Sequence, residues 1–168
     1  MSTMSATNTT QVYRVYIRTT PEAVWDAITK PEWTEGYGYC GAADYDLRVG
    51  GRANSRPGAA WSGVPNLPET IFDGEFVEVD PPKRLVQTWR MVMDPTMKDE
   101  GFTRLTHEIE AQDNGVTKLT VIHELEGAPA LAAMVAGEHE AQGAGGGWAF
   151  VLSDLKSLLE SGAPLVSR

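Results

Sequence analysis

His107 and His123 are the residues whose placement could do chemistry. They stand in two alternating stretches, FTRLTHEIEA and VTKLTVIHEL, joined around QDNG. Asn114-Gly115 is a strong hairpin signal. A three-residue loop at 113–115 sets Ile109 opposite Leu119 and His107 opposite Val121. The two imidazoles then become diagonal neighbours on the apolar face, roughly 7–8 Å apart at Cα. Inward histidines of this kind can be a general acid/base pair, two ligands of a metal, or satisfied polar groups in a mainly apolar cleft. A third ligand at close spacing is not evident, so no metal is expected. A one-residue slip in register would turn one histidine outward, and both the catalytic and the structural readings of His107 and His123 stay open. His139, flanked by glutamates, reads as solvent-exposed.

Other chemistry finds little footing. No G-x-S-x-G nucleophile elbow occurs. Cys40 is the single cysteine, which excludes an internal disulfide, and it has no electropositive neighbour to activate its thiol. A reducing, cytoplasmic setting is the simplest home. AQGAGGGWAF, residues 141 to 150, lacks the Gly-Lys-Ser/Thr of a phosphate loop, and no cofactor is expected. The net charge of −9 argues against nucleic acid, whose phosphates need clustered Lys and Arg. It argues equally against an anionic membrane surface. No window reaches the roughly 20 apolar residues of a membrane span, and MSTMSATNTT has neither the charge nor the apolar run of a signal peptide.

The elements that must position the histidines follow from pattern. At 168 residues, 42% of them apolar, one domain with a full core is expected, here over 11–162. A disordered segment (1–10) precedes it and a tail (163–168) follows. VYRVYIRT alternates as a strand, with Val12, Arg14, Tyr16 and Arg18 on one face and Tyr13, Val15 and Ile17 on the other. Thr20 caps a helix, Pro21 suits its first position, and Pro31 stops it before a second short helical turn in PEWTEG. DYDLRVGGRANSR reads as one strand broken at Gly50-Gly51, and Pro57 to Pro68 as a loop carrying Trp61. TIFDGEFVEV and RLVQTWRMVM are strands turned by DPPKR. The last helix starts at Trp148. Val151, Leu152, Leu155, Leu158 and Leu159 lie on its apolar face, Ser153, Asp154, Lys156, Ser157 and Glu160 on the other, and Gly162 and Pro164 stop it. Glycines at a helix start each cost ~1 kcal/mol relative to Ala. Close approach, to a sheet or around a ligand, is the offsetting gain expected at 141–147.

TTPEAVWDAITKPEWTEG, DLRVGGR, GEFVEVDPPKRLVQTWRM, LTHEIEAQDNGVTKLTVIHEL and GGGWAFVLSDLKSLLE, in this order, resemble successive blocks of the activator-of-heat-shock-protein-ATPase homologue group within the START/Bet v 1-like (SRPBCC) superfamily. The resemblance spans about Val12 to Glu160. It implies an α+β helix-grip fold: a curved antiparallel sheet of about six to seven strands around a long C-terminal helix, two short helices after the first strand, and a cavity between sheet and helix. Where many relatives carry bulky Trp residues after the second helix, this chain has GYGYCGAAD, so Tyr37 and Tyr39 are expected at the cavity mouth.

Cavity sites are mainly apolar with a few polar fixtures. The candidate ligand-binding residues are Tyr37, Tyr39, Trp61, Phe72, Gln87, Trp89, Met91, Phe102, His107, His123, Met134, Trp148 and Leu152, with Met93 in the same class. Trp25 is assigned to core packing. Arg48, Arg52 and Arg90 either anchor an anionic group or lie outside in weak ion pairs. The expected function is binding of a hydrophobic or aromatic small molecule, oriented by the histidines, Gln87 or Tyr39, rather than catalysis. A polyketide cyclase/aromatase-like or hydrolase-like enzyme is the alternative. Co-chaperone stimulation of a heat-shock-protein ATPase ranks last, since the additional N-terminal domain of the eukaryotic activator is missing. A homodimer is compatible with the sequence.

Overall fold

Alternation decides the first element. In the computed structural model, which describes residues 9–142 and 145–166, strand β1 (Thr10–Ile17) turns Val12, Arg14 and Tyr16 outward and packs Tyr13, Val15 and Ile17 on the core. Thr20 then accepts from the Ala23 amide at 3.1 Å and caps helix α1 (Pro21–Thr29), as a hydroxyl followed by Pro favours. That helix buries Val24, Trp25 and Ile28. Pro31 ends it and opens the single turn α2 (Pro31–Thr34).

The next region corrects the expectation of one interrupted strand. It is a hairpin, β2 (Gly41–Tyr45) against β3 (Ala53–Pro57), with Ala43 opposite Ser55 and Tyr45 opposite Ala53. The first strand starts in Gly-Ala-Ala, which carries little β-propensity and hides it from composition. TIFDGEFVEV likewise divides into β4 (Phe72–Asp73) and β5 (Phe76–Asp80), both paired with β6 (Arg84–Met91), and a register shift lies between Phe76 and Glu78. Strands β7 (Thr103–Ala111) and β8 (Thr117–Glu124) complete the set, and their register sets Ile109 opposite Leu119 and His107 opposite Val121, as the loop length requires. Among the described residues, eight strands, two of them short pieces of one expected strand, form one antiparallel sheet in the order β1-β8-β7-β6-β4-β3-β2, with β5 also on β6.

Two short helices escape periodicity: α3 (Pro95–Asp99) and α4 (Pro129–Val135). Both are shorter than the window over which a 3.6-residue repeat can be read. The first amides of α4 are also satisfied from far away. Glu100, just past α3, accepts from Ala130 and Leu131 at 2.8 and 3.1 Å.

Helix α5 (Gly147–Ser161) buries Leu152 and Leu155, and Trp148, Val151, Leu158 and Leu159 pack on the same core. Gly162 ends it in the left-handed conformation, its amide donating to the Leu158 carbonyl at 2.9 Å. One residue corrects the expected polar face. Asp154 is fully buried, accepting from Gly38 at 2.9 Å and from Leu165 at 2.7 Å. Through the Leu165 amide, the expected tail is tied to α5, while Leu165 and Val166 stay exposed. Of the expected disordered segment, Thr10 belongs to β1 and the Thr9 carbonyl accepts from the Leu125 amide at 3.0 Å, and residues 1–8 lie outside the described residues. The whole is the helix-grip α+β architecture. Among the described residues, no helix is long and apolar enough to cross a membrane.

Candidate ligand-binding cavity

A cavity of about 160 Å³ opens between the first half of α5 and the inner face of the sheet. Of the residues named from sequence, Tyr37, Tyr39, Phe72, Gln87, Trp89, Met91, His107, Met134 and Trp148 line it. Four others do not. Trp61 braces the wall by donating its indole N–H to the Tyr39 carbonyl at 2.8 Å. Phe102 is 52% exposed beneath the Arg90 guanidinium, 4.4 Å from its ring centre. Leu152 and His123 are buried in the surrounding core. Met93 lies on the surface.

The lining also includes Thr34, Cys40, Tyr45, Ser55 and Ile71, which sequence reasoning missed. Reading residues 41–57 as a hairpin would have found two of them. Tyr45 then shares a face with Ala43, and Ser55 with Ala53, by simple alternation. Arg48, Arg52 and Arg90 take the bland role. They pair with Asp46, Asp44 and Asp73, and among the described residues no Lys, Arg, Asp or Glu lines the cavity.

One wall is the segment 36–41, fastened at successive residues. The Tyr37 hydroxyl donates to the Ala27 carbonyl of α1 at 2.9 Å, and the Gly38 amide donates to Asp154. The Tyr39 hydroxyl accepts from the Gly147 amide at 3.1 Å. Burial raises the Tyr39 pKa, as does Glu140, against the opposing Gly147 N–H. Here the glycine run finds its reason. Gly147 has φ +69°, and a Cβ there would stand 2.2 Å from the Val135 carbonyl oxygen. At Gly145 it would meet the Tyr39 ring at 2.6 Å. The close approach is to the end of α4 and to Tyr39, not to the sheet. Gly143 and Ala144 lie outside the described residues.

The two histidines separate into different roles. Trp148 Nε1 donates to His123 Nδ1 at 3.1 Å. An indole N–H cannot accept, so Nδ1 carries the lone pair and Nε2 the proton. That proton points to Thr103 Oγ1 at 2.8 Å, and the Thr103 hydroxyl donates onward to the Trp89 carbonyl at 2.8 Å. Every group in this chain is satisfied. Burial, and secondarily the nearby His107, pull the His123 pKa down to about 3. His123 thereby locks the Trp148 ring, which stands edge-on to both imidazoles at 6.0 Å.

His107 is different. It lines the cavity, and its buried Nδ1 has no hydrogen-bond partner among the described residues. Burial lowers its pKa to about 4, so it is neutral at pH 7. Gln87 Nε2, also in the wall, is equally unpartnered. The Gln87 amide is near enough to Tyr45 to oppose the rise that burial gives that phenol, without reaching hydrogen-bond geometry. Among the described residues, no group of three or more His, Cys, Asp or Glu is arranged to hold a metal.

The family model described as activator of Hsp90 ATPase homolog 1-like protein matches residues 18–160. The chain belongs to this family. The activator homolog 1-like match runs from the end of β1 to the last turn of α5, so it contains every residue named above as lining the cavity. No curated protein matches the sequence. Among solved structures, a protein from Staphylococcus saprophyticus is similar at 16% identity and a TM-score of 0.63, covering 95% of this chain and 97% of that one. The Aha1 dimer from Colwellia psychrerythraea is similar at 18% identity and a TM-score of 0.59, covering 91% and 97%. An Hsp90 activator from Plasmodium falciparum is similar at 21% identity and a TM-score of 0.51, covering 68% and 71%. At these identities the structures speak for the fold alone.

Proposed function

We propose that this chain binds an uncharged, mainly apolar small molecule in the cavity between α5 and the sheet. The observation that carries this reading is the pair of buried, unpartnered atoms, Gln87 Nε2 and His107 Nδ1, in a wall otherwise built of aromatic, aliphatic and thioether groups. A buried polar group without a partner costs about 1–3 kcal/mol. A ligand that answers both groups recovers that cost and adds apolar burial at about 25 cal/mol per Å². The absence of any charged lining group selects against ions, whose desolvation nothing would offset. The test is native mass spectrometry of freshly purified protein, repeated after denaturation and refolding. A bound mass lost on denaturation supports the reading. A clean apo mass, with no saturable binding of neutral aromatic probes, refutes it.

The family membership favours a second reading, stimulation of a heat-shock-protein ATPase, and the dimeric Colwellia relative favours a second copy of the chain as a partner. A chaperone ATPase assay and sedimentation of the purified chain address these separately. An enzyme reading, cyclase-like or hydrolase-like, would fall to His107, because His123 is committed to Trp148 and Thr103. A pKa near 4 makes His107 a weak base at neutral pH, which is why binding is preferred. A cytoplasmic site of action remains part of the proposal, on the single buried thiol of Cys40.

A further inference from the structure

Resting on the binding reading above, we propose that the cavity selects a neutral single-ring hydroxyarene: a phenol, rather than an anion, a polycycle or a plain hydrocarbon. Size comes first. About 150 Å³ of apolar void is enough for one benzene ring, and this cavity offers about 160 Å³. The walls suit an arene. Phe72 and Trp89 pack tilted at 37°, their centroids 4.8 Å apart, Trp148 is hydrogen-bonded to His123, and Met91 and Met134 add thioether sulfurs. Aromatic edges and sulfur both favour a ring between them.

The polar pair supplies the hydroxyl. Gln87 pairs with Leu105 and His107 with Leu85, which makes Gln87 and His107 diagonal neighbours, roughly 7–8 Å apart at Cα. An amide nitrogen only donates, so the ligand atom facing Gln87 Nε2 must accept. A neutral imidazole nitrogen either donates or accepts, according to tautomer. A hydroxyl satisfies Gln87 and answers His107 in either tautomer, whereas a carbonyl answers it in one only. A carboxylate meets no cation in the lining.

Calorimetric titration of the full chain at pH 7 with phenol, toluene, benzoate and 2-naphthol tests this. Phenol is expected to bind about tenfold tighter than toluene, the scale of two modest hydrogen bonds, with benzoate silent and 2-naphthol weaker than phenol. Gln87→Leu is expected to remove most of the preference for phenol over toluene. The wild-type comparison stands even if that variant does not fold. Phenol no tighter than toluene overturns the hydroxyl assignment, binding of benzoate overturns neutrality, and 2-naphthol tighter than phenol overturns the single-ring limit. Each of those leaves cavity binding intact. Silence from all four probes overturns the binding reading as well.

Discussion

Gly147→Ala tests the physical account of the glycine run. The new Cβ would lie 2.2 Å from the Val135 oxygen, 2.6 Å from its carbonyl carbon and 2.7 Å from the Gly137 nitrogen. All three are backbone atoms, so no side chain can rotate away. Ordinary contact requires the start of α5 to retreat by roughly 1 Å. A left-handed backbone also costs a non-glycine residue about 1–2 kcal/mol, and overpacking adds about 1–3 kcal/mol. The expected loss is about 2–5 kcal/mol, against a typical total stability of about 5–15 kcal/mol. Urea unfolding reads this directly, and thermal unfolding should show a drop in Tm of about 4–20 °C for a chain of this length. Gly115→Ala is the control. Its φ is +75° but nothing lies within 4 Å of the added Cβ, so it isolates the backbone cost at about 1–2 kcal/mol. If Gly147→Ala were no more destabilising than Gly115→Ala, the close-approach argument would be wrong.

Three further outcomes follow from the site. Asp154→Ala removes the carboxylate that holds Gly38 and Leu165 and is expected to cost about 3–6 kcal/mol at about 1.5–3 kcal/mol per charge-assisted bond; an unchanged urea midpoint would contradict it. Thr103→Val strands His123 Nε2–H and the Trp89 carbonyl, with a loss of about 2–4 kcal/mol and a shift in Trp148 fluorescence. Burial holds His107 and His123 near pKa 4 and 3, below the usual 6.5. The unfolded chain therefore binds more protons below that value, so stability is full above about pH 7 and falls from pH 6.5 toward 4. The slope reaches up to about 1.4 kcal/mol per pH unit for each histidine. The urea midpoint at pH 5 should lie well below that at pH 7.5, and His107→Gln with His123→Gln should narrow the gap.

What the sequence revealed was set by short-range rules. The β7–β8 register was legible because the three-residue loop 113–115, closed by the Gln112 amide on the Val116 carbonyl, leaves one pairing that keeps Leu105, Ile109, Leu119 and Val121 inward. The α1 cap was legible because Thr20 and Ala23 are neighbours. The misses involve partners distant in sequence. Asp154 sits in the polar part of its helix by periodicity, and its burial follows from partners outside the helix, Gly38 116 residues away and Leu165. The cap of α4 comes from Glu100, some 30 residues upstream. Phe102 and Trp61 have the right chemistry for a cavity, and composition cannot tell that one shields Arg90 and the other props the wall from behind.

The segment 36–41 differs from the sheet in what holds it. Hydrogen bonds from Tyr37, Gly38 and to Tyr39 hold the strap, with Tyr37 and Cys40 as its buried side chains, while the strands behind it carry most of the apolar core. Opening the strap exposes two buried side chains, which takes less free energy than opening the whole core. The expected outcome is local opening of the cavity below the free energy of global unfolding. Amide hydrogen exchange at Gly38 and Gly147 times that opening apart from global unfolding, and its rate sets the upper bound on how fast any guest can come and go.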